Sequence, residues 1–173
     1  MDADEVRRLL EPDEPDYAAA ALLLGAGDVV HLAALAAGED PMMASKAVYL
    51  AGMLEVDGVG DVLTDAAGNA DPIVRVAAAA SVRNAEASVA VALGTRLLAD
   101  ADVGVRRMVA DSAALSSSAD VGARLRRLVE RDADVEVRSR AELLLDPDDR
   151  EAARTGHDGR PPATEHVPTT TRR

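Results

Sequence analysis

Apolar residues do not form long runs in this chain. They return every three or four positions in short blocks, and the blocks return at a longer interval. Four segments align: Asp40-Pro-Met-Met-Ala, Asp71-Pro-Ile-Val-Arg75, Asp102-Val-Gly-Val-Arg106 and Asp134-Val-Glu-Val-Arg138. Their Asp residues lie 31, 31 and 32 positions apart. Three residues after each Asp stand Met43, Val74, Val105 and Val137, and seven after stand Ala47, Ala78, Val109 and Ala141. Nineteen after the first three stand Val59, Ala90 and Val121; at 26 and 27 stand Ala66-Ala67, Leu97-Leu98 and Leu128-Val129. Columns that persist over three periods identify an internal repeat.

Each period predicts two helices. Asp40-Pro41 and Asp71-Pro72 are start signals, with Asp as N-cap and Pro at the first helical position, where its missing N–H costs nothing. Breaks follow at Asp57-Gly58, near Asn84 and at Ser116-Ser117-Ser118, where Ser117 and Asp120 resemble a capping box. The second helices end near Gly68, Asp100 and Asp132. An earlier, shorter pair is predicted at about 15–24 and 28–37, broken at Gly25-Ala-Gly27 and closed by Gly38. A short amphipathic segment, Asp4–Leu10, precedes it, and one helix follows Asp134, to about Leu145. Residues 1–145 therefore predict one repeat domain. Residues 146–173 are almost without apolar residues and predict a disordered polar tail.

Composition sharpens this. Of 173 residues 36 are Ala, and the aromatics are two Tyr, with no Trp or Phe. Such a core brings backbones close, as helix-on-helix packing requires. The chain has no Cys, so disulfides, thiolate zinc sites and Cys nucleophiles are excluded. No apolar run is long enough for a membrane span, and MDADEVRR lacks a basic-then-apolar leader, so a cytoplasmic protein is expected. Net charge is −12, unevenly spread: residues 1–70 carry 14 acids and 3 bases, residues 71–145 carry 11 of each. The acidic half would repel phosphate backbones, so no nucleic-acid partner is expected, and the net charge favours a soluble monomer.

Asp-Pro-x-Val-Arg followed by an Ala-rich helix resembles the HEAT repeat, in its short bacterial "PBS lyase HEAT-like" type. Asp71-Pro72-Ile73-Val74-Arg75-Val76-Ala77-Ala78-Ala79-Ala80 is the best single match; the repeat at Asp40 departs from it, with Ala44 where Arg is expected. The resemblance spans roughly residues 12–145. It implies an all-α, right-handed α-solenoid of about four helix pairs, whose second helices line an inner, concave face. It also implies a non-catalytic scaffold or adaptor that binds a protein partner. Two alternatives come with the same kinship: a DNA glycosylase-type nucleic-acid binder, and a phycobilin lyase-like enzyme. The first resembles a basic solenoid with aromatic residues in its groove. The second needs room for a large tetrapyrrole. Two Tyr and a net negative charge favour neither.

Arg75, Arg106 and Arg138 recur four residues after an Asp, and predict structural pairing with Asp of their own or the neighbouring repeat. The second helices carry a different column. Twenty-five residues after each Asp stand Asp65, Arg96 and Arg127, and four further on stand Asn69, Asp100 and Arg131, with Arg124 three before Arg127. If these face inward, the face runs from acidic to basic, and Asp65, Arg96, Arg124, Arg127 and Arg131 are the expected partner contacts. His31, His157 and His166 are too dispersed for metal ligation, Asp61 with Asp65 supplies too few oxygens, and Gly58-Val-Gly60 lacks the Lys of a phosphate loop. No metal or cofactor is expected. Met42, Met43 and Met53 are expected to fill gaps in the core. No nucleophile–base pair stands out, so no catalytic residue is expected.

Overall fold

The protein is described from a computed structural model, which covers residues 1–111, 119–145 and 150. Ten α-helices follow one another: α1 Ala3–Leu10, α2 Tyr17–Leu23, α3 Val29–Ala36, α4 Pro41–Ala51, α5 Val59–Ala66, α6 Pro72–Ser81, α7 Ala87–Leu97, α8 Val103–Ala110, α9 Ala119–Arg131 and α10 Val135–Leu144. Two single 3₁₀ turns, Ala26–Asp28 and Val82–Asn84, complete the described structure, and the fold is all-α.

The predicted starts are the observed starts. The carboxylates of Asp40, Asp71, Asp102 and Asp134 each accept backbone N–H groups of the first turn of α4, α6, α8 and α10. This satisfies donors that have no partner inside a helix. Gly58 sits at φ +88°, a left-handed turn that suits a residue without Cβ, and α5 begins directly after it. The break at Ser116–Ser118 and the Ser117 cap lie outside the described residues, as does the tail expected to be disordered, apart from Arg150.

The helices stack in two layers. First helices α4, α6, α8 and α10 contact one another in turn, and so do second helices α3, α5, α7 and α9. The layers join mainly through α3 with α4, α5 with α6 and α9 with α10. The core between them is small-residue and aliphatic. Ala47, Ala78, Val109 and Ala141, the predicted column, are all fully buried. At such positions a single added methylene has no room. One close approach is sharper still: a Cβ placed on Gly52, at the end of α4, would collide with the Ser81 side chain on α6. Ser81 is itself buried, and its hydroxyl donates to the Ala77 carbonyl at 2.9 Å.

Candidate functional site

The recurring arginines of the first helices are bound up in the fold. Arg75 Nη1 donates to the carbonyls of Asn69 and Ala70, both at 2.9 Å. Its other edge, Nε and Nη2, grips both carboxylate oxygens of Asp100 at 2.8 and 2.9 Å. Arg106 repeats this one step along: Nη1 holds the carbonyls of Asp100 and Ala101, and Nε and Nη2 grip Asp132 at 2.7 and 3.0 Å. Asp100 and Asp132 also accept the N–H of the N-cap residues Asp102 and Asp134. Each rung therefore clamps one repeat to the start of the next through charge-assisted, two-toothed bonds.

The electrostatics follow. Burial alone would raise the Asp100 carboxyl, but hydrogen bonds from Arg75 and the Asp102 N–H outweigh it and hold the group below its ordinary value. Arg106 does the same for Asp132 against burial. Asp134, bonded by Arg107 and the Val137 N–H, is pulled down to about 2. Arg140 joins the outer edge, paired with Asp111 and Glu136. The expected pairing with a neighbouring repeat is thus present for Arg75 and Arg106. The acceptor, however, is the Asp two residues before the N-cap rather than the N-cap itself.

This corrects the column read on the second helices. Asp100 does not face a groove; it is locked in a rung, and Asn69 accepts the Asp71 N–H at 2.8 Å. Its true counterpart in the last repeat is Asp132, not Arg131. The 32-residue interval hides the match when positions are counted forward, and reveals it when they are counted back from Asp134.

The remaining expected residues keep their shared register. Asp65 on α5, Arg96 on α7 and Arg127 on α9 are all exposed at one helical position, beside the buried residues Ala66, Leu97 and Leu128. Arg124, half-buried, and Arg131, exposed, lie on the same flank of α9 as Arg127, at helical three- and four-residue spacing. Asp65, Arg96, Arg124 and Arg127 form no ion pair among the described residues, and Arg131 is only within 3.9 Å of its neighbour Glu130. The Arg96 guanidinium reaches the previous repeat, where a Cβ on Gly68 would meet Nη2 at 2.9 Å.

Sequence reasoning missed a second surface, on the first helices. Tyr17 and Tyr49, the only aromatics, meet edge to face with ring centres 4.8 Å apart. They border an open groove of about 370 Å³ with Met42, Ile73, Val76 and Met108. Met42 is 52% exposed there, so it does not fill the core as expected; Met43 packs against the core and Met53 is half-buried. Tyr17 and Tyr49 are 32 residues apart, and the signal that could have paired them is their place one repeat apart. A cleft of about 530 Å³ lies between the α4–α5 loop and the start of α7, lined by Glu55, Asp57, Asp61 and Glu86. Among the described residues no group of three or more His, Asp or Glu is placed to hold a metal, and no single helix is long and apolar enough to cross a membrane.

The solved structures supply a relative in fold. YibA of Escherichia coli, a HEAT-repeat-like helical protein, superposes with a TM-score of 0.66 at 20% identity over 83% of this chain. The match takes in 57% of that protein, so this chain spans little more than half of its length. No protein-family model matches the chain, and no curated protein matches it in sequence.

Proposed function

We propose that the chain is a right-handed HEAT-like α-solenoid of about four helix pairs that acts as a non-catalytic protein-binding scaffold. Its binding face is the second-helix layer. One contrast carries this reading. On the first helices Arg75, Arg106, Arg107 and Arg140 are all held in ion pairs. On the second helices Arg96 and Arg127 stand in register, Arg124 lies on the same flank as Arg127, and none of the three has an ion-pair partner among the described residues. Among these seven arginines, those paired into the fold lie on first helices and those without an ion pair among the described residues lie on second helices. Arg96, Arg124, Arg127 and Arg131 would meet acidic groups of the partner, and Asp65 a basic one, so that the acid-to-base gradient sets the partner's direction. The glycosylase-type alternative needs rings in the binding groove, whereas Tyr17 and Tyr49 lie on α2 and α4, against each other.

The test starts from a tagged full-length chain recovered from its own cells with a stoichiometric partner. Reversing Arg96→Glu with Arg127→Glu should weaken that complex at least tenfold, about 1.4 kcal/mol. Arg83→Glu is the control, since Arg83 is exposed at the end of the first-helix segment and its Nε donates to Ala80. Wild-type affinity in the double reversal, with a loss in the control, would move the binding face to the other layer. Micromolar binding of duplex DNA at physiological salt, with no protein partner, would bring the nucleic-acid alternative forward.

A further inference from the structure

The rungs supply a comparison that reaches beyond the second-helix face. Three arginines occupy the same place in successive first helices: Arg75, Arg106 and Arg138. All three use Nη1 identically. Arg138 Nη1 donates to the carbonyls of Asp132 and Ala133 at 2.7 and 3.1 Å, just as its predecessors hold the two residues ahead of their own N-caps. These bonds fix the plane and direction of the guanidinium. In Arg75 and Arg106 the remaining edge grips a carboxylate of the following repeat. In Arg138 that edge has no acceptor among the described residues.

The surroundings tell what kind of group fits. One turn beyond each arginine position, Val48, Ala79 and Ala110 are buried. At the same place α10 carries Glu142, which is half-buried. A carboxylate there breaks the apolar column that Val48, Ala79 and Ala110 form. The guanidinium still offers the two parallel donors that match a carboxylate.

We propose that Arg138 is a carboxylate-binding socket on α10, which takes an Asp or Glu side chain from a polar segment in the two-toothed manner of Arg75 and Arg106. The two filled rungs define its ligand: an Asp-x-Asp stretch, as in Asp100-Ala-Asp102 and Asp132-Ala-Asp134, whose first carboxylate accepts from the arginine and from the N–H two residues on. The occupant is an acidic segment of a separate chain, and occupation by an acid of this chain is the competing outcome of the test.

The arginine Nε–H resonances of the full-length protein report the socket directly. The probe is the capped tetrapeptide acetyl-Asp-Ala-Asp-Val-amide, a copy of residues 132–135. The Arg138 signal, identified by its loss in Arg138→Lys, should move to saturation at a peptide concentration on the order of 1 mM, the range of a single weak contact. The Arg75 and Arg106 signals should stay in place. Arg138→Lys keeps the charge but lacks the fork, and should weaken the peptide at least tenfold, as followed on neighbouring backbone signals. Neutralising Asp146, Asp148, Asp149, Glu151, Asp158 and Glu165 to their amides separates the sources. If the Arg138 signal then moves without peptide, the chain fills its own socket and the separate segment is overturned; if only the peptide moves it, the carboxylate comes from a separate segment. An Arg138 signal indifferent to both peptide and neutralisation overturns the proposal, and so does peptide binding that Arg138→Lys leaves unchanged.

Discussion

The two halves of the molecule join their repeats by different means. Between α4 and α6 the arginine position is Ala44, fully buried, and its counterpart ahead of the next N-cap is Asn69. The contact is apolar and close, with Ala44, Ala47, Val48 and Ala51 all buried and Gly52 against Ser81. From α6 onward the same slot carries Arg, and the counterpart is Asp. The charge arithmetic follows from this choice. The acids of residues 71–145 are matched by an equal number of bases, several of them in rungs, whereas the acids of residues 1–70 have few bases to meet. One backbone repeat tolerates either solution, because each fills the slot and leaves no buried polar group without a partner.

Breaking a rung should have the largest effect. Arg106→Ala strands the Asp132 carboxylate, which is only 4% exposed, and is expected to cost about 3 kcal/mol, the lower end for a buried pair losing one member. Adding Asp132→Asn copies the Ala44–Asn69 arrangement, and urea unfolding should show the double variant more stable than Arg106→Ala alone. If it is less stable, the two solutions are not interchangeable.

Overfilling the apolar contact comes next. Ala78→Leu, at a fully buried position, should cost roughly 1–3 kcal/mol, read from the thermal midpoint. An unchanged midpoint would mean that the small-residue column does not set the helix spacing.

Acid sharpens the comparison from another side. Asp100, Asp132 and Asp134 have folded-state values below the ordinary carboxylate value. A depressed carboxylate contributes stability that is present above its unfolded value, about 3.9, and lost as pH falls through the folded one. For Asp134 that window runs from about 3.9 down to about 2. Stability should therefore fall below about pH 4, and Arg106→Ala with Asp132→Asn should flatten the fall in far-UV circular dichroism at fixed urea.

The smallest effect is expected on the second-helix face. Arg96→Glu with Arg127→Glu should change stability by no more than about 0.5 kcal/mol each, since both residues are exposed and outside the rungs. A larger loss would make them part of the fold after all.

Most of the architecture was legible because its signals are local. An Asp N-cap followed by Pro acts within three residues, and a buried column at positions 7 after each cap needs only helical periodicity. The rungs were half legible. Arg75 and Arg106 announced a partner, yet the partner lies 25 and 26 residues on, and a one-residue change in interval was enough to set Arg131 where Asp132 belongs. The Tyr17–Tyr49 groove left little local trace, because its walls come from four helices and Met42 turns outward for reasons of neighbouring geometry. As for the second-helix flank, the shared register was visible, whereas the lack of ion pairs for Asp65, Arg96, Arg124 and Arg127 among the described residues depends on neighbours distant in the chain.

The pairing of the two tyrosines makes the molecule its own optical gauge. With no Trp and no Phe, every near-ultraviolet signal arises from Tyr17 and Tyr49, and both rings sit within the first fifty residues. Their edge contact joins α2 to α4, so phenol fluorescence and near-ultraviolet dichroism follow the apolar half alone, while the amide bands follow every helix. Loss of the two signals at different denaturant concentrations would resolve the halves without any label, and coincident loss would show that the rungs carry cooperativity from one end to the other.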